Sequence, residues 1–349
     1  MSADAFSKYA GRRVLVTGHT GFKGSWLCLW LKRLGAEVAG FSDAIPTHPS
    51  HFEALRLDMD DRRGDICNPA AVDAVIADTK PDAVFHFAAQ SLVRKAYADP
   101  LATYRANVLG TLAVLQSAQR SGAGSVVVAT TDKVYRNDES GRRYQEDDEL
   151  GGSDPYSASK SCAEIATRSF AESFAAGGPL NIAIVRAGNV VGGGDWSEDR
   201  LVPDLMRAAF SGQPAIIRNP QSTRPWQHVL DVLSGYLQIG AKLLSGEHET
   251  FDAWNLGPLS EASISVQDLL DEASAQIPQL KVEIQPDQSA RHESGLLQLD
   301  STKAMSQLGW RPLWEDQLLE RTVDWYRAFY DRGRVISSDQ LDAYEAALG

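Results

Sequence analysis

Short apolar runs alternate with amphipathic segments over the first half of the chain. Continuous apolar runs are typical of strands buried on both faces, and a strand–helix alternation indicates parallel strands joined by helical crossovers. We therefore expect an α/β fold with a doubly wound parallel sheet between two layers of helices. The pattern predicts strands at Val14–Thr17, Glu37–Ser42, Ala83–Ala88, Val126–Thr130 and Asn181–Val185, and helices at Ser25–Leu34, Pro69–Lys80, Pro100–Arg120 and Pro155–Ala175.

The pattern changes at about Val190, after which the predicted elements are shorter and proline and glycine become more frequent. We therefore expect two domains, residues 1–190 and residues 191–349. The second domain would be a smaller mixed α/β region, and the alternative is that some of its elements belong structurally to the first domain. Its helices are predicted at Val202–Phe210, Val232–Leu244, Val266–Ala275 and Leu318–Tyr330.

Composition and charge narrow the class of partner. The chain has 349 residues, 43% of them hydrophobic, and a formal charge of −12. An acidic surface disfavours nucleic acid, because phosphate backbones need basic patches, although a local cationic pocket can still hold a small anion. The widely spaced Cys28, Cys67 and Cys162 argue against a disulfide framework and against a metal site. With no secretory signal and no apolar run that spans a bilayer, we expect a cytoplasmic protein without membrane contacts.

A glycine-rich turn follows the first predicted strand and opens the first predicted helix. Glycines at its spacing permit a tight turn and a close approach of backbone to a pyrophosphate, which the N–H groups of the helix then bind. The G-x-x-G-x-x-G spacing is typical of the extended short-chain dehydrogenase/reductase class, so we expect a Rossmann-type dinucleotide-binding domain over residues 1–190. The predicted cofactor-binding residues of this turn are Gly18, Thr20, Gly21, Phe22, Lys23 and Gly24.

The end of the second strand should distinguish NAD from NADP. An acidic group there accepts hydrogen bonds from the ribose hydroxyls and repels a 2′-phosphate. The candidates are Ser42, at the usual position of the carboxylate, and Asp43, one residue later. We expect NAD and leave open how tightly it is held. Asp65 and Ile66 are candidates to lie beside the adenine, with a plain turn at Asp65 as the alternative.

Tyr156 and Lys160 are four residues apart on a predicted helix and therefore share a face. The ammonium group of the lysine would favour the phenolate form of the tyrosine and lower its pKa. A phenolate can take the proton of a sugar hydroxyl while a nicotinamide accepts the hydride of the same carbon. A tyrosine and a lysine at this spacing are usually inert. Here, however, Thr130 and Thr131 end the strand that precedes the helix, and a glycine-rich nucleotide-binding turn lies earlier in the chain. This context indicates a catalytic pair.

Asp132 and Lys133 come directly after Thr131, just past the carboxyl end of a predicted strand. Ligands of such sheets bind at that end of the strands. A carboxyl group and an amine at this position could serve as general acid and general base, which an elimination needs. The alternative is a surface ion pair, which would contribute little.

Nearly the whole chain resembles the nucleotide-sugar 4,6-dehydratases. The Asp-Lys pair at 132–133 is similar to that of the CDP-glucose branch of this family, because the dTDP-glucose branch carries Asp-Glu. The resemblance implies a lyase that uses NAD and CDP-glucose. A dehydratase for another nucleotide sugar, a nucleotide-sugar 4-epimerase and a non-catalytic NAD-binding regulator remain alternatives. The resemblance is carried by Thr17–Trp26, Ala88–Arg94, Arg186–Trp196, Ile217–Pro220 and Arg224–His228.

The same resemblance implies a reaction without net redox change. Tyr156 would take the C4 hydroxyl proton and Lys133 the C5 proton, and Asp132 would protonate the departing C6 hydroxyl. Thr131 would hydrogen-bond the C4 oxygen. The helices Pro100–Arg120 and Pro155–Ala175 would form a homodimer, with a tetramer as the alternative. Further contacts are expected to the cofactor from Ala88 and Ala89, and to the substrate from Gln90, Asn189, Arg200, Arg218, Arg224 and His292.

Overall fold

A computed structural model describes the chain over residues 3–246, 251–259, 264–285 and 297–349. Its strands, in chain order, are β1 (Arg13–Thr17), β2 (Glu37–Ser42), β3 (Asp60–Arg63), β4 (Ala83–His86), β5 (Ser125–Ala129), β6 (Arg143–Tyr144), β7 (Asn181–Ala187), β8 (Val190–Val191), β9 (Ala215–Ile217), β10 (Thr223–Arg224), β11 (Gln227–His228), β12 (Phe251–Leu256), β13 (Ile264–Ser265), β14 (Val282–Ile284) and β15 (Gln298–Leu299).

The α-helices, in the same order, are α1 (Ala3–Ser7), α2 (Phe22–Arg33), α3 (His51–Leu55), α4 (Pro69–Thr79), α5 (Val93–Ala98), α6 (Pro100–Tyr104), α7 (Thr111–Ser121), α8 (Pro155–Phe170), α9 (Leu201–Ser211), α10 (Val229–Ser245), α11 (Val266–Gln276), α12 (Thr302–Leu308), α13 (Leu318–Arg332) and α14 (Ser337–Leu348). Short 3₁₀ turns lie at Asp132–Val134 and Glu315–Gln317, and π-helical segments at Arg105–Gly110 and Ala171–Ala175. No helix of the described residues is long and apolar enough to cross a membrane.

Seven strands of the described chain form one parallel sheet, in the order β12-β7-β5-β4-β1-β2-β3. Because successive side chains of a strand point to opposite faces, each strand supplies two cores. Val14 and Val16 pack with α2 and α10 on one face, whereas Leu15 packs with α4 and α7 on the other. The predicted Rossmann-type α/β fold is thereby confirmed.

The strand order reverses between β1 and β4, and ligands of open α/β sheets bind outside the carboxyl ends of the strands at such a point. β1 ends at Thr17, β4 at His86 and β5 at Ala129. The glycine-rich turn, the Ala88-Ala89 segment and the Thr131-Asp132-Lys133 segment therefore meet at one edge of the sheet, although they are far apart in sequence.

The second half of the chain also contributes to this sheet. β12 pairs in parallel with β7, with Phe251 opposite Ile182, and α10 is buried along the face of the sheet. β8 begins three residues after the end of β7 and pairs with β11. The β8–β11 pair therefore places part of the second region beyond the carboxyl ends of the sheet strands. A ligand bound where the strand order reverses would lie at these strand ends.

The predicted elements differ from the observed ones at identifiable places. α2 begins at Phe22, three residues before the predicted start, because Gly21 is extended and acts as the N-cap. Each of the two long predicted helices contains a π-helical segment. The sequence pattern did not predict β3, α5 or α14. β3 reads Asp-Asp-Arg-Arg and is exposed throughout, so it has no apolar alternation from which a strand could be predicted.

Candidate active site

The glycine-rich turn packs so closely that side chains would not fit. Gly18 has a φ of +74°, and a Cβ atom there would lie 2.6 Å from the backbone nitrogen of Ala88. A Cβ atom on Gly24 would lie 2.2 Å from the carbonyl oxygen of Gly18. No side chain of the described residues caps α2 at Gly21, so the first N–H groups of the helix are available to an anion. This cradle fits the pyrophosphate of a dinucleotide.

Ser42, a residue predicted to distinguish NAD from NADP, forms its hydrogen bonds within the protein. The Oγ atom of Ser42 lies 2.9 Å from Nδ1 of His19, whose Nε2 atom lies 2.8 Å from Oδ1 of Asp61. A carboxylate only accepts hydrogen bonds, so Nε2 is the donor, and the neutral ring accepts from Ser42 at Nδ1. Burial lowers the pKa of His19, which agrees with a neutral ring. The neighbouring Asp43 is exposed, and its Oδ1 atom accepts from the N–H of Ala44 at 2.8 Å.

The candidates for the adenine side differ in their surroundings. Asp65 is exposed, and its Oδ1 atom accepts from the N–H of Cys67 at 2.7 Å. This contact is the turn that the sequence left as the alternative. Ile66 is buried against Gly110, where a Cβ atom would lie 2.7 Å from its Cδ1 atom. Ile66 is therefore held by packing, whereas Asp65 stabilises its own loop.

Tyr156 and Lys160 lie in the first turns of α8, and both are buried. The N-cap Asp154 accepts from the N–H of Tyr156 at 2.9 Å. The Nζ atom of Lys160 donates to the carbonyl oxygen of Ala129, the last residue of β5, at 3.0 Å. Burial lowers the pKa of Lys160 to about 8. Burial likewise raises the pKa of Tyr156 to about 12, although a hydrogen bond with Thr131 acts in the opposite direction.

The segment after β5 brings a carboxyl group to the same place. Asp132 is only 2% exposed, and its Oδ1 atom accepts from the Oγ1 hydroxyl of Thr131 at 2.9 Å. The backbone N–H of Lys133 donates to the same hydroxyl at 3.3 Å, and the lysine itself is half-buried. Gly188 faces the carboxyl group, since a Cβ atom there would lie 3.2 Å from Oδ2 of Asp132. The burial of Asp132 argues against the alternative of a surface ion pair.

Lys23 belongs to the phosphate turn in sequence, but its ammonium group lies among the catalytic candidates. Its Nζ atom lies 5.5 Å from the ring centroid of Phe87 and 5.8 Å from that of Tyr236. Burial lowers the pKa of Lys23 to about 7, the positive charges of Arg200 and Lys160 lower it further, and Asp132 acts in the opposite direction. Lys23 therefore adds to the catalytic pocket an amine that is only partly protonated near neutral pH.

The three candidate arginines occupy different positions in the ligand-free chain. Arg200 and Arg224 are half-buried and Arg218 is exposed; the Nη1 atom of Arg200 lies 3.3 Å from Oδ2 of Asp195. Its charge also reaches Tyr156, since it lowers the pKa of that phenol. The Nη1 atom of Arg218 lies 3.7 Å from Oδ1 of Asp199. Arg224 donates to the carbonyl oxygen of its neighbour Thr223 at 2.9 Å.

The other substrate candidates have mixed outcomes. The side-chain amide of Gln90 donates to the carbonyl oxygen of Leu92 and to Thr103, both at 3.1 Å, and therefore holds its own turn. Asn189 is half-buried beside Gly188, and its carbonyl oxygen accepts from the N–H of Gln227 at 3.0 Å. His292 lies outside the described residues.

Sequence reasoning missed a buried asparagine that joins two parts of the site. Asn107 lies in the π-helical segment before α7 and is fully buried. Its Nδ2 atom donates to the carbonyl oxygen of Gln90 at 3.0 Å and to Oγ of Ser159 on α8 at 2.9 Å. It thus connects the turn after β4 to the helix of Tyr156. A polar residue inside an apolar helical stretch was the available signal.

A buried ion pair behind the site was also missed. Arg186 at the end of β7 and Glu164 on α8 approach to 2.5 Å, and each is 2% exposed. Oε1 of Glu164 also accepts from the hydroxyl of Thr130 at 2.6 Å, and Arg186 donates to the hydroxyl of Tyr135 at 2.6 Å. This cluster fixes α8 to the strand ends that carry the catalytic candidates.

The fold and site define a nucleotide-dependent α/β enzyme with a tyrosine–lysine pair. The model of the NAD dependent epimerase/dehydratase family matches residues 14–257, and the chain belongs to that family. The chain is 44% identical over 353 aligned residues to a CDP-glucose 4,6-dehydratase of Salmonella typhimurium, covering 97% of this chain and 98% of that one.

Two solved structures share the fold. The epimerase Mth375 of Methanothermobacter thermautotrophicus has a TM-score of 0.81 at 26% identity, covering 94% of this chain and 96% of that one. The dTDP-glucose 4,6-dehydratase DesIV of Streptomyces venezuelae, solved with NAD and TYD bound, has a TM-score of 0.78 at 25% identity, covering 90% of this chain and 97% of that one.

Proposed function

We propose that this chain is a CDP-glucose 4,6-dehydratase, a lyase that converts CDP-glucose to CDP-4-keto-6-deoxyglucose and water. The observation that carries the proposal is the buried carboxyl group of Asp132, which accepts a hydrogen bond from Thr131 and lies close enough to Tyr156 to act on the pKa of that phenol. A 4-epimerase needs no such acid, whereas an elimination does. The 44% identity to the Salmonella typhimurium enzyme supports the same assignment and the choice of nucleotide.

NAD is the cofactor of this family, and the residues of this chain fit it. The turn at Gly18, Gly21 and Gly24 would hold the pyrophosphate against the N-terminus of α2. NAD supplies an acceptor for the C4 hydride and a donor that returns it to C6. The buried Lys160 lies four residues from Tyr156 on the same helix, where its charge favours loss of the phenolic proton.

The remaining chemistry belongs to side chains at the end of β5. Tyr156 removes the proton of the C4 hydroxyl, and the resulting ketone makes the neighbouring C5 proton acidic. Lys133 removes that proton, and Asp132 protonates the C6 hydroxyl as it departs. Lys133 later returns the proton to C5. The position of Asp132, buried directly after the end of β5 and hydrogen-bonded to Thr131, supports this role.

The diphosphate of the substrate requires cations that the second region can supply. We place it against Arg200, Arg218 and Arg224, because a guanidinium group binds phosphate oxygens through two parallel hydrogen bonds. All three residues follow Val190, so residues 191–349 would mainly hold the nucleotide sugar and residues 1–190 the NAD.

Large apolar side chains on the outer faces of two helical segments favour a homodimer. Leu101 is 83% exposed and Leu109 60%, and on the neighbouring segment Ile165 is 58% and Phe174 64% exposed. A two-fold contact would cover all four side chains at once. We place the enzyme in the cytoplasm, where NAD and nucleotide sugars are made.

The test is the product formed from CDP-glucose. Incubation with NAD and a panel of glucose nucleotides, followed by mass spectrometry, should show loss of one water with CDP-glucose as the preferred substrate. Lys133→Met should still oxidise C4, but exchange of the C5 hydrogen with deuterated solvent should slow strongly. Lys281→Met, at an exposed lysine, is the matched control. A product of unchanged mass with an inverted configuration at C4 would identify an epimerase. The absence of a product with every nucleotide tested would favour the non-catalytic NAD-binding regulator.

A further inference from the structure

An aspartate in the second region contacts arginines from both regions of the chain. The Oδ1 atom of Asp199 lies 3.4 Å from Nη1 of Arg94 and 3.7 Å from Nη1 of Arg218. Arg94 belongs to α5, which follows β4 of the sheet, whereas Arg218 directly follows β9. In this group of three side chains, the Asp199 cluster, one carboxylate oxygen lies between two guanidinium groups that are far apart in sequence.

The Asp199 cluster lies beside the catalytic candidates. The next residue along the chain, Arg200, donates to Oγ of Ser91 at 3.5 Å, in the turn between β4 and α5. Asn107 joins this turn to α8, the helix that carries Tyr156. The charge of Arg200 also acts on Tyr156, since it lowers the pKa of that phenol. A sugar bound beside the tyrosine would therefore have its diphosphate near these arginines.

A ligand can reach all three side chains of the Asp199 cluster. Their exposed fractions are 44% for Arg94, 41% for Asp199 and 44% for Arg218. Both ion-pair distances are longer than the roughly 2.7–2.9 Å of a charge-assisted hydrogen bond. Exposed ion pairs of this kind contribute little to stability. A ligand that offers each guanidinium group a direct hydrogen bond can therefore displace the carboxylate.

We propose that Asp199 takes the place of the substrate diphosphate in the ligand-free chain, and that the diphosphate displaces it from Arg94 and Arg218. The inference rests on the proposed function. The diphosphate of a nucleotide sugar carries two negative charges, which match the two guanidinium groups that Asp199 releases. Arg94 thereby becomes a diphosphate ligand from residues 1–190, whereas the arginines assigned to the diphosphate above all follow Val190. Substrate binding exchanges one set of ionic contacts for another and breaks no covalent bond.

This exchange predicts opposite effects for two substitutions. Arg94→Met keeps much of the side-chain stem but removes a ligand, so the dissociation constant for CDP should rise by about tenfold. Asp199→Asn removes the competing carboxylate, so the same constant should fall by roughly twofold to fivefold, as expected for an exposed ion pair. Asparagine suits the position because Asp199 has a φ of +57°, a conformation that asparagine also tolerates.

The experiment is calorimetric titration of the NAD-loaded enzyme with CDP, which carries the diphosphate but is not turned over. The affinity for NAD, measured in the same way, should stay unchanged and separates loss of the diphosphate site from general loss of structure. Arg120→Met is the matched control for Arg94→Met, because Arg120 forms an exposed ion pair with Asp73. Glu198→Gln, at the exposed neighbour of Asp199, is the control for Asp199→Asn. Both controls should bind CDP as the wild type does.

The double variant Arg94→Met/Asp199→Asn separates displacement from general repulsion between like charges. If Asp199 only repels the diphosphate, its replacement should strengthen CDP binding by the same factor with or without Arg94. If the diphosphate displaces Asp199 from Arg94, the gain should be smaller in the Arg94→Met background, because part of the contact to be broken is already absent. An equal gain in both backgrounds would overturn the displacement.

Failure of this inference differs from failure of the proposed function. Arg94→Met that binds CDP as tightly as the wild type, or Asp199→Asn that binds it no more tightly, contradicts the inference and leaves the dehydratase intact. Arg94→Lys keeps the charge without the planar fork, so it should bind CDP with intermediate affinity, and it serves if Arg94→Met does not fold. Wild-type enzyme that dehydrates no glucose nucleotide contradicts the proposed function, even where CDP binds.

Discussion

Replacing Glu164 by glutamine should destabilise the protein and also change the behaviour of Lys160. Glu164 and Arg186 form an ion pair in which each partner is 2% exposed. Glutamine keeps the size of the side chain and one hydrogen-bond acceptor but removes the carboxylate that is paired with the guanidinium group of Arg186. Breaking a buried pair from one side costs about 3–5 kcal/mol, because an uncompensated charge stays in the interior.

This free energy corresponds to a measurable change in melting temperature. Unfolding of a chain of 349 residues at about 2.1 cal/mol/K per residue has an entropy of about 0.7 kcal/mol/K. A loss of about 3–5 kcal/mol then lowers the melting temperature by about 4–7 °C. The double variant Glu164→Gln/Arg186→Met removes both charges and should recover part of this loss, since replacing a buried pair as a whole is often nearly neutral.

The catalytic consequence arises because Glu164 also acts on Lys160. Burial lowers the pKa of Lys160 to about 8, and the negative charge of Glu164 raises it. Without that charge the pKa should fall further, so less of Lys160 is protonated near neutral pH. The rate of C4 oxidation, measured as nicotinamide absorbance in a single turnover, should then decline at a lower pH than in the wild type. The double variant should keep this shift even where it recovers stability.

Calorimetry and the pH profile together test this reasoning. Glu172→Gln is the matched control, because Glu172 lies on the exposed surface of the same helical segment. It should change neither the melting temperature nor the pH profile. A wild-type melting temperature for Glu164→Gln would mean that the pair is not desolvated, and an unmoved pH profile would mean that Glu164 does not act on Lys160.

Three further predictions concern other parts of the molecule. Tyr156→Phe should slow nicotinamide reduction by roughly 100-fold or more, while calorimetric titration should show NAD binding retained. Arg224→Lys should raise the KM for the nucleotide sugar more than it lowers kcat, because the two-pronged phosphate contact is lost; an unchanged KM would remove Arg224 from the diphosphate site. Burial lowers the pKa values of His51, His86 and His228 to about 3. The unfolded chain, with histidine pKa values near 6.5, then binds more protons, so urea unfolding should show stability falling by about 4 kcal/mol per pH unit between about pH 6 and 4. His86→Gln should reduce this slope by about a third, and a slope unaffected by that substitution would speak against a buried neutral ring.

The sequence alone determined the features that depend on neighbouring residues. The apolar runs at β1, β2, β4, β5 and β7 identified the parallel sheet, because a strand buried on both faces needs a continuous apolar run. The glycine spacing identified the phosphate turn, because only glycine permits its backbone approaches. The spacing of Tyr156 and Lys160 placed both on one helical face. Asp132 and Lys133 were recognisable because they directly follow a strand end.

Tertiary structure alone decided which distant polar groups meet. His19 reaches Ser42 and Asp61, Asn107 reaches Ser159, and the ammonium group of Lys23 reaches the catalytic pocket rather than the phosphate turn. The addition of β12 to the sheet and the burial of the Glu164–Arg186 pair belong to the same category. Hydrophobic periodicity records which face of an element is buried, but it does not record which element covers that face. A buried polar side chain needs one specific partner, and where that partner lies depends on how the whole chain packs.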